Sequence, residues 1–322
     1  MARLSRRTAL AMGGGALAVA ATGGAVNWWR ARLPDRAQID SFYTTSLPAP
    51  GGPLNVFHLG HSLVGRDMPA MLAQLARARG VDHRYHSQLG WGTSLREHWY
   101  PDLPIQGYET ENAHDRYRPA LAAVGSGDYD AVIVTEMIEL IDALKYHDSG
   151  DYLVKWADLA RNANPNTQVY LYETWHGLDD PGGFLHRIDA DLPTLWEGKL
   201  LASDLRGPQP RPIHIIPAGQ VMARVARAAE AAPLPGLARR EDLFAKTPEG
   251  DQDPIHLNDI GAYLVAVTHF AVLYHQSPVG LPTQVNRADG TPALAPSAPA
   301  AELIQRLAWD VVTTYPKTGV AG

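Results

Sequence analysis

Residues 54–75 read LNVFHLGHSLVGRDMPAMLAQL, and two periodicities meet inside them. Leu54 to Gly60 is a short, mainly apolar run of strand length, after which Met68, Met71, Leu72 and Leu75 recur at the spacing of one helix face. A buried strand feeding straight into an amphipathic helix is the repeating unit of a parallel sheet, because parallel neighbours need a crossover connection and a helix usually supplies it. The unit recurs along the chain. Residues 82–88, 131–135 (AVIVT), 167–173 (ending QVYLYE) and 213–217 read as further strands, with amphipathic stretches at 113–124, 152–162 and 192–205 between them. Five short strands alternating with helices predict an α/β protein whose parallel sheet is covered on both faces.

Beyond the last strand, 258–275 predicts a long helix with Ile260, Leu264, Val267, Ala271 and Val272 on its stripe and Asn258 as its cap. Pro278, Pro282, Pro292, Pro296 and Pro299 mark 278–299 as a connector, and 300–314 predicts a final helix with a short tail to 322. The organisation expected is therefore a leader at 1–32, a connector at 33–53, the α/β domain at 54–277, the Pro-rich connector, and the C-terminal helix.

Composition narrows the function. At 322 residues, 45% hydrophobic and 19% charged, the chain can bury a large core and is not disordered. Twenty-eight basic side chains face 34 acidic ones, and six of the arginines lie within the first 36 residues against the single acid Asp35. The body is thus strongly acidic and would repel phosphate backbones, which excludes nucleic acid as a partner. The chain has no cysteine, so disulfides, thiolate nucleophiles and zinc-thiolate sites are excluded together.

The N-terminus reads as an address. A basic start is followed by an uncharged, Gly-rich run at 8–26, and Arg6 and Arg7 stand directly before it. This resembles a twin-arginine export signal, which implies the twin-arginine machinery as a partner and a periplasmic or extracellular destination. Nineteen uncharged residues followed by Trp28, Trp29 and Arg30 also fit an N-terminal membrane anchor, while Ala18-Val19-Ala20 offers a cleavage site. Retention and cleavage both stay open.

In open α/β sheets reactive groups gather at the carboxyl ends of strands. There the first strand ends in Gly60-His61-Ser62-Leu63, a serine in a turn just ahead of a helix. Asp253-Pro254-Ile255-His256 stands before the long helix, with the Asp placed to hold an imidazole that takes a proton from serine. These two blocks, their order and their separation resemble the SGNH (GDSL-like) hydrolases, serine esterases and lipases of flavodoxin-like α/β fold. The resemblance covers roughly residues 54–275, and it implies a three-layer sandwich around a five-stranded parallel sheet.

The family's second block supplies a glycine N–H to the oxyanion. Here Gly90-Trp91-Gly92-Thr93-Ser94-Leu95, followed by His98-Trp99, is similar to a bacterial branch, and it implies Gly92 as donor with Gly90 as the alternative. The third block, normally Gly-x-Asn-Asp, is absent; Val134-Thr135-Glu136-Met137 stands in its place, and of these Thr135 can donate through its hydroxyl. The resemblance thus implies an esterase with Ser62 as nucleophile, His256 as base, Asp253 as its orienter, and Ser62, Gly92 and Thr135 around the oxyanion. Trp91, Trp99 and Trp175 are expected on the substrate rim, where indole faces suit a sugar ring, so an O-acyl carbohydrate ester, O-acetyl in the first place, is the expected substrate. His83 with His86, and His269 with His275, lack chelate spacing, so neither a metal nor an organic cofactor is expected. Two other functions remain open: an envelope polysaccharide O-acyltransferase using the same triad, and an anchored binding module with weak catalysis.

Overall fold

The computed structural model describes residues 33–207 and 210–322, so the leader expected at 1–32 lies outside the described residues. Five strands form one parallel sheet: β1 (Leu54–Gly60), β2 (His83–Leu89), β3 (Ala131–Val134), β4 (Gln168–Glu173) and β5 (His214–Pro217). Their order is β2-β1-β3-β4-β5, the flavodoxin-like order, with the direction of winding reversing between β1 and β3.

Side chains alternate across the sheet as the two-residue period of a strand demands. Val56, Ile133, Tyr170, Tyr172 and Ile216 face one layer, made of α1 (Asp67–Ala78), α5 (Ala218–Ala231), α6 (Asp259–Tyr274) and α7 (Ala298–Thr314). Phe57, Leu59, Val132, Val134, Leu171 and Ile215 face the other, built on α3 (Ser149–Ala163) and the helical run of α4 (Phe184–Asp191) with the π-helical turn Leu192–Leu201 behind it. Between β2 and β3 lies the short α2 (Leu95–Trp99). In α6 every residue except Asp259 and Ala262 is buried, as expected of a helix apolar on all sides that is packed between the sheet and a second helical layer.

Three sequence expectations change. The helix expected at 113–124 is confined to Ala120–Val124, because Pro119 lacks an N–H and biases the residue before it to extended backbone. The helix expected at 192–205 begins as π-helix. Asp253 and His256 lie not on a bare turn but on β7 (Gln252–Leu257), which pairs antiparallel with β6 (Phe244–Lys246). The Pro-rich connector crosses the outside of α1 and α6: Asn286 and Gln74 exchange two hydrogen bonds, and Arg287 pairs with Asp259 at 2.6 Å. Among the described residues no helix is long and apolar enough to cross a membrane.

Candidate active site

Ser62 follows β1 at the point where the winding reverses, which is where open sheets leave a crevice. The turn is built on His61, whose buried ring donates from Nε2 to the Glu136 carbonyl (2.9 Å) and accepts from the Leu63 N–H at Nδ1 (3.4 Å). Burial lowers the His61 pKa to about 4, the Glu136 carbonyl opposing and His256 adding to the fall, so this ring is a neutral spacer. The Val64 N–H closes the turn on the His61 carbonyl at 2.9 Å. Gly60 permits the close approach: a Cβ there would come within 2.6 Å of the Thr135 methyl.

Across the crevice, His256 Nε2 lies 3.1 Å from Ser62 Oγ, and His256 Nδ1 lies 3.0 Å from Asp253 Oδ2. A carboxylate can only accept, so Nδ1 carries the proton and Nε2 is free to receive one from the serine. Burial alone would raise the Asp253 pKa, but the N–H groups of His256 and Ile255 and the His256 ring hold it below its ordinary value. The loop after β4 fixes this segment. Trp175 Nε1 donates to the Ile255 carbonyl (2.9 Å) and the Leu178 N–H to the Pro254 carbonyl (2.7 Å). Asn258 then caps α6 by accepting from the N–H groups of Ile260 and Gly261. The His256 side chain is 48% exposed, so the site opens to solvent.

The turn after β2 brings Gly92 to the same edge, with φ +55°. Gly90 is not available as the alternative donor, because its N–H is directed to the Gly60 carbonyl at 3.3 Å. Among the described residues neither the Ser62 nor the Gly92 N–H is engaged by another protein group. His98, on α2, ties this turn to β1: Nε2 donates to the Gly60 carbonyl (2.8 Å) while Nδ1 accepts from Gln88 (2.9 Å), and burial lowers its pKa to about 4.

Thr135 departs from expectation. Its buried hydroxyl donates to the Tyr172 carbonyl at 2.7 Å, so its one hydrogen is turned across the sheet to β4 and not toward an oxyanion. Glu136 is fully buried and points to α2, where its Oε1 accepts from the N–H groups of Met137 (2.8 Å) and Leu95 (3.2 Å).

Two of the three expected rim tryptophans are structural. Trp175 is 0% exposed and serves as the latch on Ile255; Trp99 is half-buried, its ring edge-on to Trp156 at 4.9 Å. Only Trp91 is open, at 48% exposure, its Nε1 donating to Glu111 (2.8 Å). Its ring lies over Gly107, where a Cβ would come within 2.3 Å of the indole. A cavity of about 570 Å³ adjoins it, lined in part by Leu103, Ile105, Tyr108, Glu97 and Glu109.

Glu173 ends β4 in a closed pocket, with the Gln220 N–H and side-chain amide on its carboxylate (3.2 Å each), and burial raises its pKa to about 8. Glu139, His176 and Asp191 lie close enough to offer three metal ligands. That space already holds a cation: the Arg187 guanidinium reaches both Glu139 oxygens (2.8 and 2.9 Å), Asp191 (2.9 Å) and Asp180 (3.0 Å). Of the residues that matter here, His61, Trp175 as a latch and Arg187 carry no signal in the sequence; His98 could have been singled out from its place in the second block.

No protein-family model matches the chain, and no curated protein matches it. Among solved structures it is similar to a DUF4886 family protein from Bacteroides uniformis, with 17% identity and a TM-score of 0.56 over 82% of this chain and 96% of that one. It overlaps a protein from Parabacteroides merdae described as a GDSL-like lipase with 15% identity and a TM-score of 0.41, over 69% and 96% of the two chains. For a carbohydrate esterase family 3 protein from Talaromyces cellulolyticus the identity is 14% and the TM-score 0.35, over 68% and 96%. The first likeness shows a shared fold; the other two carry no argument about this chain.

Proposed function

We propose that the chain is an exported serine esterase that hydrolyses O-acetyl esters of carbohydrates. The reading rests on one observation: the unbroken line from Asp253 through His256 to Ser62, at 3.0 and 3.1 Å, on the crevice edge of the sheet. Ser62 Oγ attacks the ester carbonyl carbon as its proton passes to His256 Nε2. The oxyanion takes hydrogen bonds from the N–H groups of Ser62 and Gly92, the imidazolium is stabilised by Asp253, and the proton moves to the leaving alcohol as the carbon–oxygen bond breaks. Water, activated by the same histidine, then splits the acyl-serine and releases the acid. The open crevice supports hydrolysis over transfer, since an acyl-enzyme exposed to solvent meets water first. For the carbohydrate, the support is the indole of Trp91 beside Gly92, the one exposed indole among the described residues and a rigid platform for the apolar face of a sugar ring. Export rests on Arg6, Arg7 and the uncharged run behind them.

Labelling with a fluorophosphonate followed by peptide mapping should place the adduct on Ser62, and Ser62→Ala should abolish turnover of acetyl esters. Acetylated oligosaccharides should exceed aryl acetates and long-chain lipids in kcat/KM, and Trp91→Ala should lose that preference. An adduct on another serine, or full turnover by Ser62→Ala, overturns the esterase; a preference for lipids overturns the carbohydrate alone.

A further inference from the structure

Glu136 occupies the place where the family's third block supplies an oxyanion donor, yet its side chain is 0% exposed and reaches no solvent. What it does reach are the two pieces of backbone that must be set against each other for the oxyanion to be bound. Oε1 accepts from the Leu95 N–H, at the start of α2 and three residues after Gly92. Its carbonyl accepts from the ring of His61, the residue before Ser62. One residue at the end of β3 thus holds both the donor turn and the nucleophile turn.

The geometry points to Glu136 as a positioning residue that fixes the Gly92 turn against the Ser62 turn, and does so as the neutral acid. This rests on the esterase reading above. The neutral form follows from the surroundings. Oε2 is buried and receives no N–H, the hydroxyl of Ser149 lies near the carboxyl, and no cation touches it. The charged or titratable groups on the elements packed against it are Arg96, Glu97 and His98 on α2, His61 in the nucleophile turn, His147 and Asp148 ahead of α3, and Asp151, Tyr152, Lys155, Asp158 and Arg161 on α3; Arg96 is directed to Asp148 instead. Of these, Glu97 bears on the carboxyl, and as an anion it disfavours ionisation. Burial is the larger effect and raises the Glu136 pKa to about 7, against the Met137 N–H, the Ser149 hydroxyl and the Leu95 N–H, which favour the ionised form. An ionised Glu136 would place an uncompensated negative charge in the wall behind the oxyanion turn and oppose the charge that develops there.

Activity should therefore fall as pH rises through about 7, because the neutral acid is lost in that direction. The test measures kcat and KM from about pH 5.5 to about 9, with fluorophosphonate labelling rates, for wild type, Glu136→Gln and Glu136→Ala. The amide matches the neutral acid in shape and keeps its carbonyl acceptor, so Glu136→Gln should keep wild-type kcat at pH 6 and lose the alkaline fall. Glu136→Ala keeps the backbone carbonyl that receives the His61 ring but loses the carboxyl that holds Leu95, so it should lose about tenfold or more in kcat and in labelling rate with KM little changed. Wild-type activity and labelling that stay level to pH 9, a Gln variant as impaired as Ala, or both variants matching wild type would each overturn the inference. If wild-type Ser62 is itself not labelled, the esterase reading fails and this one with it. Should Glu136→Ala not fold, the alkaline limb in Glu136→Gln still decides.

Discussion

Thr135 illustrates what a residue's identity leaves undetermined. A hydroxyl at the end of β3 can donate, and the family pattern wants a donor there, but its direction is set by the neighbouring strand, and the nearest carbonyl is that of Tyr172. Thr135→Val should therefore behave as a packing change. It leaves a buried carbonyl short of one donor, which costs about 1–3 kcal/mol of stability, while kcat of the folded enzyme stays within about twofold, in contrast to the 10²- to 10³-fold loss that typically follows removal of an oxyanion donor. Thermal melting and kcat measured on the same preparation separate the two; a large loss in kcat at unchanged stability would return Thr135 to the oxyanion. The meeting of Ser62 with His256 and Asp253 was legible because each sits in a short local motif whose backbone geometry travels with it. Trp99 and Trp175 were not. An indole is equally suited to a rim and to a core, and only the packing partners, Trp156 for one and the Ile255 carbonyl for the other, decide between them.

At the level of elements, β1, β3, β4 and β5 were legible as mainly apolar runs of strand length, β2 (HRYHSQL) only by its place in the alternation, and all five appear within one or two residues of their expected bounds. Their order across the sheet is not a property of any run, and it came from the family resemblance. The β6–β7 hairpin was hidden: β6 has three residues and β7 carries Pro254, so neither shows a two-residue period. Yet this hairpin presents Asp253 and His256, and it is held to the sheet by the loop after β4. Trp175→Phe keeps most of the buried ring volume and removes the Nε1 donor to Ile255. The expected result is a native far-ultraviolet circular dichroism spectrum with kcat lowered about tenfold, since small displacements of a catalytic base are costly. Unchanged kcat would mean that the Leu178–Pro254 bond holds the hairpin alone.

Across the whole molecule, the feature with the widest reach is a set of buried histidines. Burial lowers the pKa values of His61, His83, His98, His214 and His269 to about 4, and that of His58, whose two nitrogens have no partner, well below the ordinary value. Each binds its proton more readily in the unfolded chain, so each contributes stability that is complete above the ordinary histidine value near 6.5 and declines below it by about 1.4 kcal/mol per pH unit. Glu136 and Glu173, with values raised to about 7 and 8, act in the opposite sense over the same range and offset two of the six. The histidines outnumber the two carboxyls, so the balance is a loss of stability as pH falls through the histidine range. Melting temperature should accordingly drop steeply between about pH 6.5 and 5, and His58→Leu should make the drop shallower by about one proton; a melting temperature level across that range would contradict the linkage. The same whole-chain view bears on when activity first exists. Ser62 and His256 are separated by 194 positions in the chain. At about 5–20 residues per second the ribosome releases Ser62 some ten to forty seconds before His256. On the proposed reading a growing chain stays inert toward esters until His256 has emerged, and during refolding turnover should be the last signal to recover, after the sheet has already closed.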